Sequence, residues 1–274
     1  MEFLPDIKWR EHIAAYWVRK MDPGMGATGR RVYADGCTDL ICNAGKSIAY
    51  FYPMAEGKQV IPLYPGRFYL GGTMTAYGVV QSDAACVLTG IRFWPGGFYA
   101  LFSKPMEPVV DSLIEFHEDE LRGLMSCVED VSGRLDQWFN QRPASGAFQN
   151  TTKYNFIFLR NLMYESRGTV SVQSLAEKMC VSNRTLERIF KENVGITPKE
   201  FLRIVRFQEA LSRLRNRRSI NGSEESNESF LQMAFELGYY DHAHLTNEFK
   251  TFAGILPSEL SHFYKTGISE GQYF

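Results

Sequence analysis

The last hundred residues of this chain repeat themselves at an offset of 59. Leu186 recurs as Leu245, Phe190-Lys191 as Phe249-Lys250, Gly195-Ile196 as Gly254-Ile255, Pro198 as Pro257 and Glu200 as Glu259. Seven of the twenty positions from Ser182 to Phe201 are thus identical, where chance would give one or two. A repeat of this kind means one structural unit used twice. In the first copy Val172, Leu175, Ala176 and Met179 form an apolar stripe at helical spacing, with Ser171 as N-cap. Cys180-Val181 makes a turn, and Ser182 caps a second helix with Leu186, Ile189 and Phe190 on its inner face. Gly195 ends that helix. Thr197-Pro198-Lys199-Glu200 opens a long third one with a cap, a proline in the first turn and a glutamate three residues on. In the second copy Phe230, Met233, Ala234 and Leu237 make the stripe and Gly238-Tyr239-Tyr240 the turn. Asp241 is the cap, Leu245 and Phe249 are the inner face, and Gly254 closes the helix. Each unit is a helix-turn-helix.

Charge follows the repeat. The 274 residues carry 30 basic and 31 acidic side chains, a net −1 that by itself points away from nucleic acid. The total hides a segregation. Residues 1–166 sum to −2, residues 167–218 to +7 and residues 219–274 to −6. The basic block covers the first helix-turn-helix and its long helix.

The first hundred residues read as β structure. Short aromatic and β-branched runs (Ser47–Tyr52, Arg67–Leu70, Cys86–Trp94) end at Pro or Gly, and Val87, Thr89, Ile91 and Phe93 share one face. Such runs predict a sandwich or barrel. From Val109 the period turns helical through Leu113, Phe116, Leu121, Met125, Leu135 and Phe139. A small-residue break at Pro143–Gln149 precedes a second helical run with Phe156, Leu159, Leu162 and Met163. These helices fit a connector, a dimerisation surface or caps on the β domain equally well.

The stretch SLAEKMCVSNRTLERIFKENVGITPKEFLRIVRFQEAL, followed by FLQMAFELGYYDHAHLTNEFKTFAGILPSEL, resembles the DNA-binding domain of AraC/XylS-type transcriptional regulators. Both copies, their order and the connecting helix agree. The N-terminal part resembles one sensory subgroup of that family. The residues that carry this are Tyr16-Trp17, Asp35-Gly36, Asp39-Leu40, Gly90-Ile91-Arg92-Phe93 and Pro95-Gly96-Gly97. The expected fold is therefore α+β. A β-rich, cupin-like barrel or sandwich spans 1–107 and a helical connector 108–166. An all-α DNA-binding domain spans 167–268, with helix-turn-helix units at 171–193 and 229–252.

The resemblance implies that a recognition helix near Ser182–Glu192 enters the major groove. Ser182 and Asn183 start it. Arg184, Glu187 and Arg188 share the face opposite Leu186 and Phe190. Arginine can pair bidentately with guanine, and glutamate can accept from the cytosine amino group. Lys178, Lys191, Lys199, Arg203 and Arg206 are candidates for phosphate contact. The second copy offers His242, Ala243, Thr246, Asn247 and Lys250, with Ala243 opposite Arg184 and Asn247 opposite Arg188. Its linker carries Glu224-Glu225-Ser226-Asn227-Glu228 and looks longer than the family's. The second reader is either a weak DNA contact or a brace for the first. Two DNA-bound readers would sit about 10 bp apart on one face.

Other motifs are set aside. Gly24-Met25-Gly26-Ala27-Thr28-Gly29 fits G-x-G-x-x-G but follows Asp22-Pro23 and leads into a short strand, the wrong context for a dinucleotide. His242 and His244 are two apart and share no helix face, and His117-Glu118-Asp119-Glu120 reads as a solvated acidic turn. No metal, no cofactor and no catalytic residue is expected, so the chain is not read as an enzyme. Five unpaired cysteines, a charged N-terminus and no apolar segment beyond 15 charge-free residues give the expectation of a cytoplasmic protein without a membrane span. The aromatic richness of the first hundred residues fits a β core better than a lined pocket.

The reading is a transcription regulator, most often an activator in this family, that binds double-stranded DNA and answers to an unidentified small-molecule effector. A homodimer, and RNA polymerase in the case of activation, are the further partners expected. The competing reading is a ligand-binding module or enzyme whose C-terminal helices serve protein interaction.

Overall fold

The computed structural model describes residues 1–21, 29–141, 155–216 and 230–266, with side chains described as far as residue 262. The Gly24 motif (but for Gly29), the Pro143–Gln149 break and the acidic linker lie outside these residues.

The N-terminal part holds two antiparallel sheets. The first runs β1 (Glu2–Phe3), β2 (Ile13–Met21), β9 (Cys86–Phe93), β4 (Thr38–Asn43), β7 (Phe68–Gly71), β10 (Leu113–Glu115) in spatial order. The second runs β3 (Arg30–Val32), β8 (Gly78–Ser82), β5 (Ala49–Pro53), β6 (Ile61–Leu63). Both faces of the larger sheet are covered. Trp17, Phe51, Leu63 and Leu88 fill the space between the sheets. On the other face Tyr16, Leu40, Ile91 and Phe93 pack against α1 (Gly97–Phe102), α2 (Asp119–Ser126) and α3 (Val131–Gln141). This double cover explains why β9 is buried at nearly every position instead of alternating between buried and exposed.

One element differs from its sequence reading. Leu113 and Phe116 fit a helical period, yet Leu113–Glu115 is a strand, paired with Gly71, Leu70 and Tyr69 of β7. Three residues are too few to show a period of two, and the pairing partner lies over forty residues away. The helix proper begins at Asp119, with Asp119 and Glu120 in its first turn, where their charges favour the helix dipole.

The C-terminal helices form their own core. α4 (Phe156–Glu165) contributes Phe156, Leu159 and Met163 to it. The others are α5 (Val172–Lys178), α6 (Asn183–Asn193), α7 (Pro198–Asn216), α8 (Phe230–Glu236), α9 (His242–Ala253) and α10 (Pro257–Thr266). The caps are those the sequence calls for. Ser171 accepts from Ser174 N–H, Ser182 from Thr185 N–H and Asp241 from His244 N–H. Thr197 and Glu200 complete a reciprocal capping box.

The N-terminal part touches both recognition helices at their C-terminal ends. Met106 N–H donates to Glu192 O of α6 (3.0 Å). Tyr77 N–H donates to Thr251 O (3.0 Å) and Ala34 N–H to Phe252 O (3.2 Å) of α9. The last four carbonyls of a helix have no partner within it, and these three amides supply some. Gly195 and Gly254, identical in the repeat, both end their helices with positive φ (90° and 67°). A Cβ on Gly195 would strike Met106 O at 2.8 Å, and one on Gly254 the Tyr77 ring at 2.3 Å. Glycine is thus required twice at each place, for the turn and for close approach.

Candidate nucleic-acid interface and ligand cavity

The N-terminal turns of both recognition helices are open. Ser182, Asn183, Arg184, Glu187, Arg188 and Lys191 are exposed on α6, while Leu186, Ile189 and Phe190 are buried. The open face therefore carries two arginines, one glutamate and an asparagine on one rigid helix. Arg188 is bonded to Glu192 one turn on (2.8 Å), a surface pair of little energetic weight that leaves it available. Lys191 instead reaches back to Glu107 of the N-terminal part (3.1 Å). On α9, His242, Ala243, Asn247 and Lys250 are exposed, and Thr246 is half-buried with its hydroxyl bonded to His242 O. Tyr240, 85% exposed, stands at the entry to α9.

Besides Lys191, two more of the phosphate candidates are otherwise engaged. Arg203 forms a bidentate pair with Glu248 (Nη2 to Oε1 2.7 Å, Nε to Oε2 3.3 Å), and its guanidinium lies over the Phe252 ring. Arg206 lies over Tyr239. Lys178 and Lys199 remain exposed. Much of the acidity of the last segment is structural. Glu236 pairs with Arg213, Glu248 with Arg203, and Glu259 and Asp241 cap helices.

Five of the residues shared with the sensory subgroup, Trp17, Asp35, Asp39, Gly90 and Arg92, meet in one half-buried cluster. Trp17 faces Gly90 across β2 and β9, and Asp39 faces Arg92 across β4 and β9. The Trp17 ring fills the space a Cβ on Gly90 would need, 2.0 Å away. From there its indole N–H donates to Asp39 Oδ1 (2.9 Å). Arg92 is held by Asp39 (3.1 Å) and by Asp35 (3.2 Å). Burial pushes the Asp35 carboxyl above the usual range, against the pull of Arg92, and pushes the Cys37 thiol well up. The cluster forms one end of an inter-sheet cavity of about 60 Å³, whose other walls include Phe51, Leu63, Val80 and Leu88. The sequence showed these residues as a family fingerprint. It did not show a cavity, because three strands must pair before they meet. Among the described residues there is no group of three or more His, Cys, Asp or Glu placed to hold a metal.

Residues 175–262 match the model of a helix-turn-helix domain. The C-terminal domain is of the AraC type. Residues 1–115 match a domain of unknown function, DUF6597. An uncharacterized HTH-type transcriptional regulator of Haemophilus influenzae is 25% identical over 58% of this chain and 53% of its own length. The HTH-type transcriptional activator RhaS of Pectobacterium carotovorum is 28% identical over 58% of this chain and 54% of its own. The chain thus spans about half the length of these curated relatives. ToxT of Vibrio cholerae has the same overall fold. Its structure covers 90% of this chain and 97% of its own, with a TM-score of 0.50 at 11% identity. The likeness is one of fold: in this chain the helical C-terminal domain sits beside a β-rich part.

Proposed function

We propose that the chain is a sequence-specific DNA-binding transcription regulator whose β-rich domain senses a small molecule. The observation that carries this is the open N-terminal face of α6, with Asn183, Arg184, Glu187 and Arg188 exposed on a helix whose opposite side is wholly buried. The relatives named as regulators, and one named as an activator, support the regulatory reading and favour activation. A ToxT structure with an unsaturated fatty acid bound supports ligand sensing in this architecture. The inter-sheet cavity is where a small-molecule effector would sit in this chain.

The test is selection of a bound sequence from random duplex DNA with the full chain, followed by gel shift across a salt series. Specific binding should weaken as salt rises. Arg184→Ala with Arg188→Ala should remove most sequence preference, since each bidentate base contact discriminates by about 1–3 kcal/mol. Unchanged preference in that variant, or no DNA affinity at low salt, would overturn the reading.

A further inference from the structure

Arg92 and Asp35 stand between two spaces. On one side they close the inter-sheet cavity of about 60 Å³. On the other they line a cleft of about 280 Å³ whose far wall is Gln208, Leu211 and Arg215 of α7. The Arg92–Asp35 pair is thus a wall common to both spaces.

The charge at that end is unbalanced. Asp35 and Asp39 face one guanidinium, and no other charged side chain lines the cavity. Neither of the two buried arginines lines it: Arg160 is spent on Glu11 O and the Trp94 ring, and Arg30, two residues before Val32 of the cavity wall, lies outside the lining. A carboxylate ligand would bring a third negative charge to one arginine in a site of low dielectric. A cation would restore balance. The remaining walls are mostly apolar, and at about 10–15 Å³ per water the space equals on the order of five waters, hence a ligand of about that many non-hydrogen atoms.

We infer that the cavity binds a compact aliphatic amine, its ammonium group on Asp35 and Asp39 and its hydrocarbon against Phe51, Leu63 and Leu88. This rests on the effector reading proposed above and gives it a chemical class. Its occupancy has a direct path to the DNA-binding domain. Asp35 follows Ala34, whose N–H caps α9 and whose carbonyl accepts from Gln208 of α7 (2.6 Å). Gly36 packs against the Phe201 ring. Met74, in the cavity wall, is three residues from Tyr77, the other cap of α9.

The experiment is titration calorimetry of the full chain at neutral pH with linear and branched alkylamines of three to six carbons. The matched carboxylates and alcohols run in parallel. The amines should bind, with carboxylate and alcohol at least about tenfold weaker, the factor one charge-assisted hydrogen bond supplies. Asp35→Asn should lower amine affinity by a similar factor. Leu63→Phe, which fills the cavity and leaves both carboxylates in place, should abolish it. Binding of a carboxylate as tight as that of its amine, or no amine binding up to millimolar concentration, overturns the inference. No DNA enters this measurement. A failure here leaves the regulator reading standing, and a failure of the DNA selection leaves the amine site standing.

Discussion

Arg203 of α7 and Glu248 of α9 meet in a bidentate ion pair, and Glu248 is only 4% exposed. In the repeat Glu248 occupies the position of Ile189, so a buried hydrocarbon in the first unit is a buried charge in the second. The pair pins the second recognition helix to the helix that joins the two units. Arg203→Ala should cost about 3 kcal/mol, because it strands a buried carboxylate. Arg203→Leu with Glu248→Ile should recover most of that loss, as apolar replacements of buried pairs commonly do. Urea denaturation of the single and double variants measures both.

Lys191 should gain DNA contact when Glu107 is removed. Its ammonium now sits 3.1 Å from that carboxylate, at the far end of α6 from the turn proposed to read bases. Glu107→Gln should raise affinity for random DNA a few-fold. It should also steepen the salt dependence by about one unit of slope, the signature of one more phosphate neutralised. A salt slope unchanged from wild type would rule out this role for the pair.

Asp111 should be among the most sensitive residues in the β domain. It is buried at φ 51°, and its carboxylate accepts from both Thr75 N–H (2.6 Å) and the Thr75 hydroxyl (2.5 Å). Asp111→Ala loses two bonds to a charged group and keeps the strained backbone, at a cost of about 3 kcal/mol. Asp111→Asn, which tolerates the left-handed region and keeps an acceptor, should cost about 1 kcal/mol. Thermal melts of the two variants give the ordering.

His12 should make the fold acid-sensitive. Burial holds its imidazole below the ordinary 6.5, and its buried Nδ1 has no hydrogen-bond partner among the described residues. A depressed folded-state pKa means a contribution that is complete above the unfolded value. It is lost as pH falls from 6.5 towards the folded value. The melting temperature should therefore drop between about pH 7.5 and pH 5.5, and His12→Leu should lack that part of the drop. Equal losses in both proteins would place the acid sensitivity elsewhere.

The repeat made the C-terminal fold legible almost residue by residue, because caps, turns and apolar stripes are local signals. Ser171, Ser182, Thr197 and Asp241 all serve as the caps their spacing announces. What escaped the sequence is what depends on distant pairing. Leu113–Glu115 became a strand because β7 offered an edge. Trp17, Asp39, Gly90 and Arg92 were recognisable as a set, but only the cross-strand register makes them a cavity end. Glu248 could have been found. An acid at an inner-face position of the repeat asks for a cation, and Arg203 lies on the helix between the units.

The amides of Ala34, Tyr77 and Met106 that close the ends of α6 and α9 belong to the main chain. Side-chain replacement does not delete a backbone N–H, so the contacts most able to carry a signal between the domains are hidden from alanine scanning. Only proline removes them. All three positions therefore exclude proline in addition to whatever their side chains must satisfy, and the seam between the two parts is written in a portion of the chain that substitution hardly reaches.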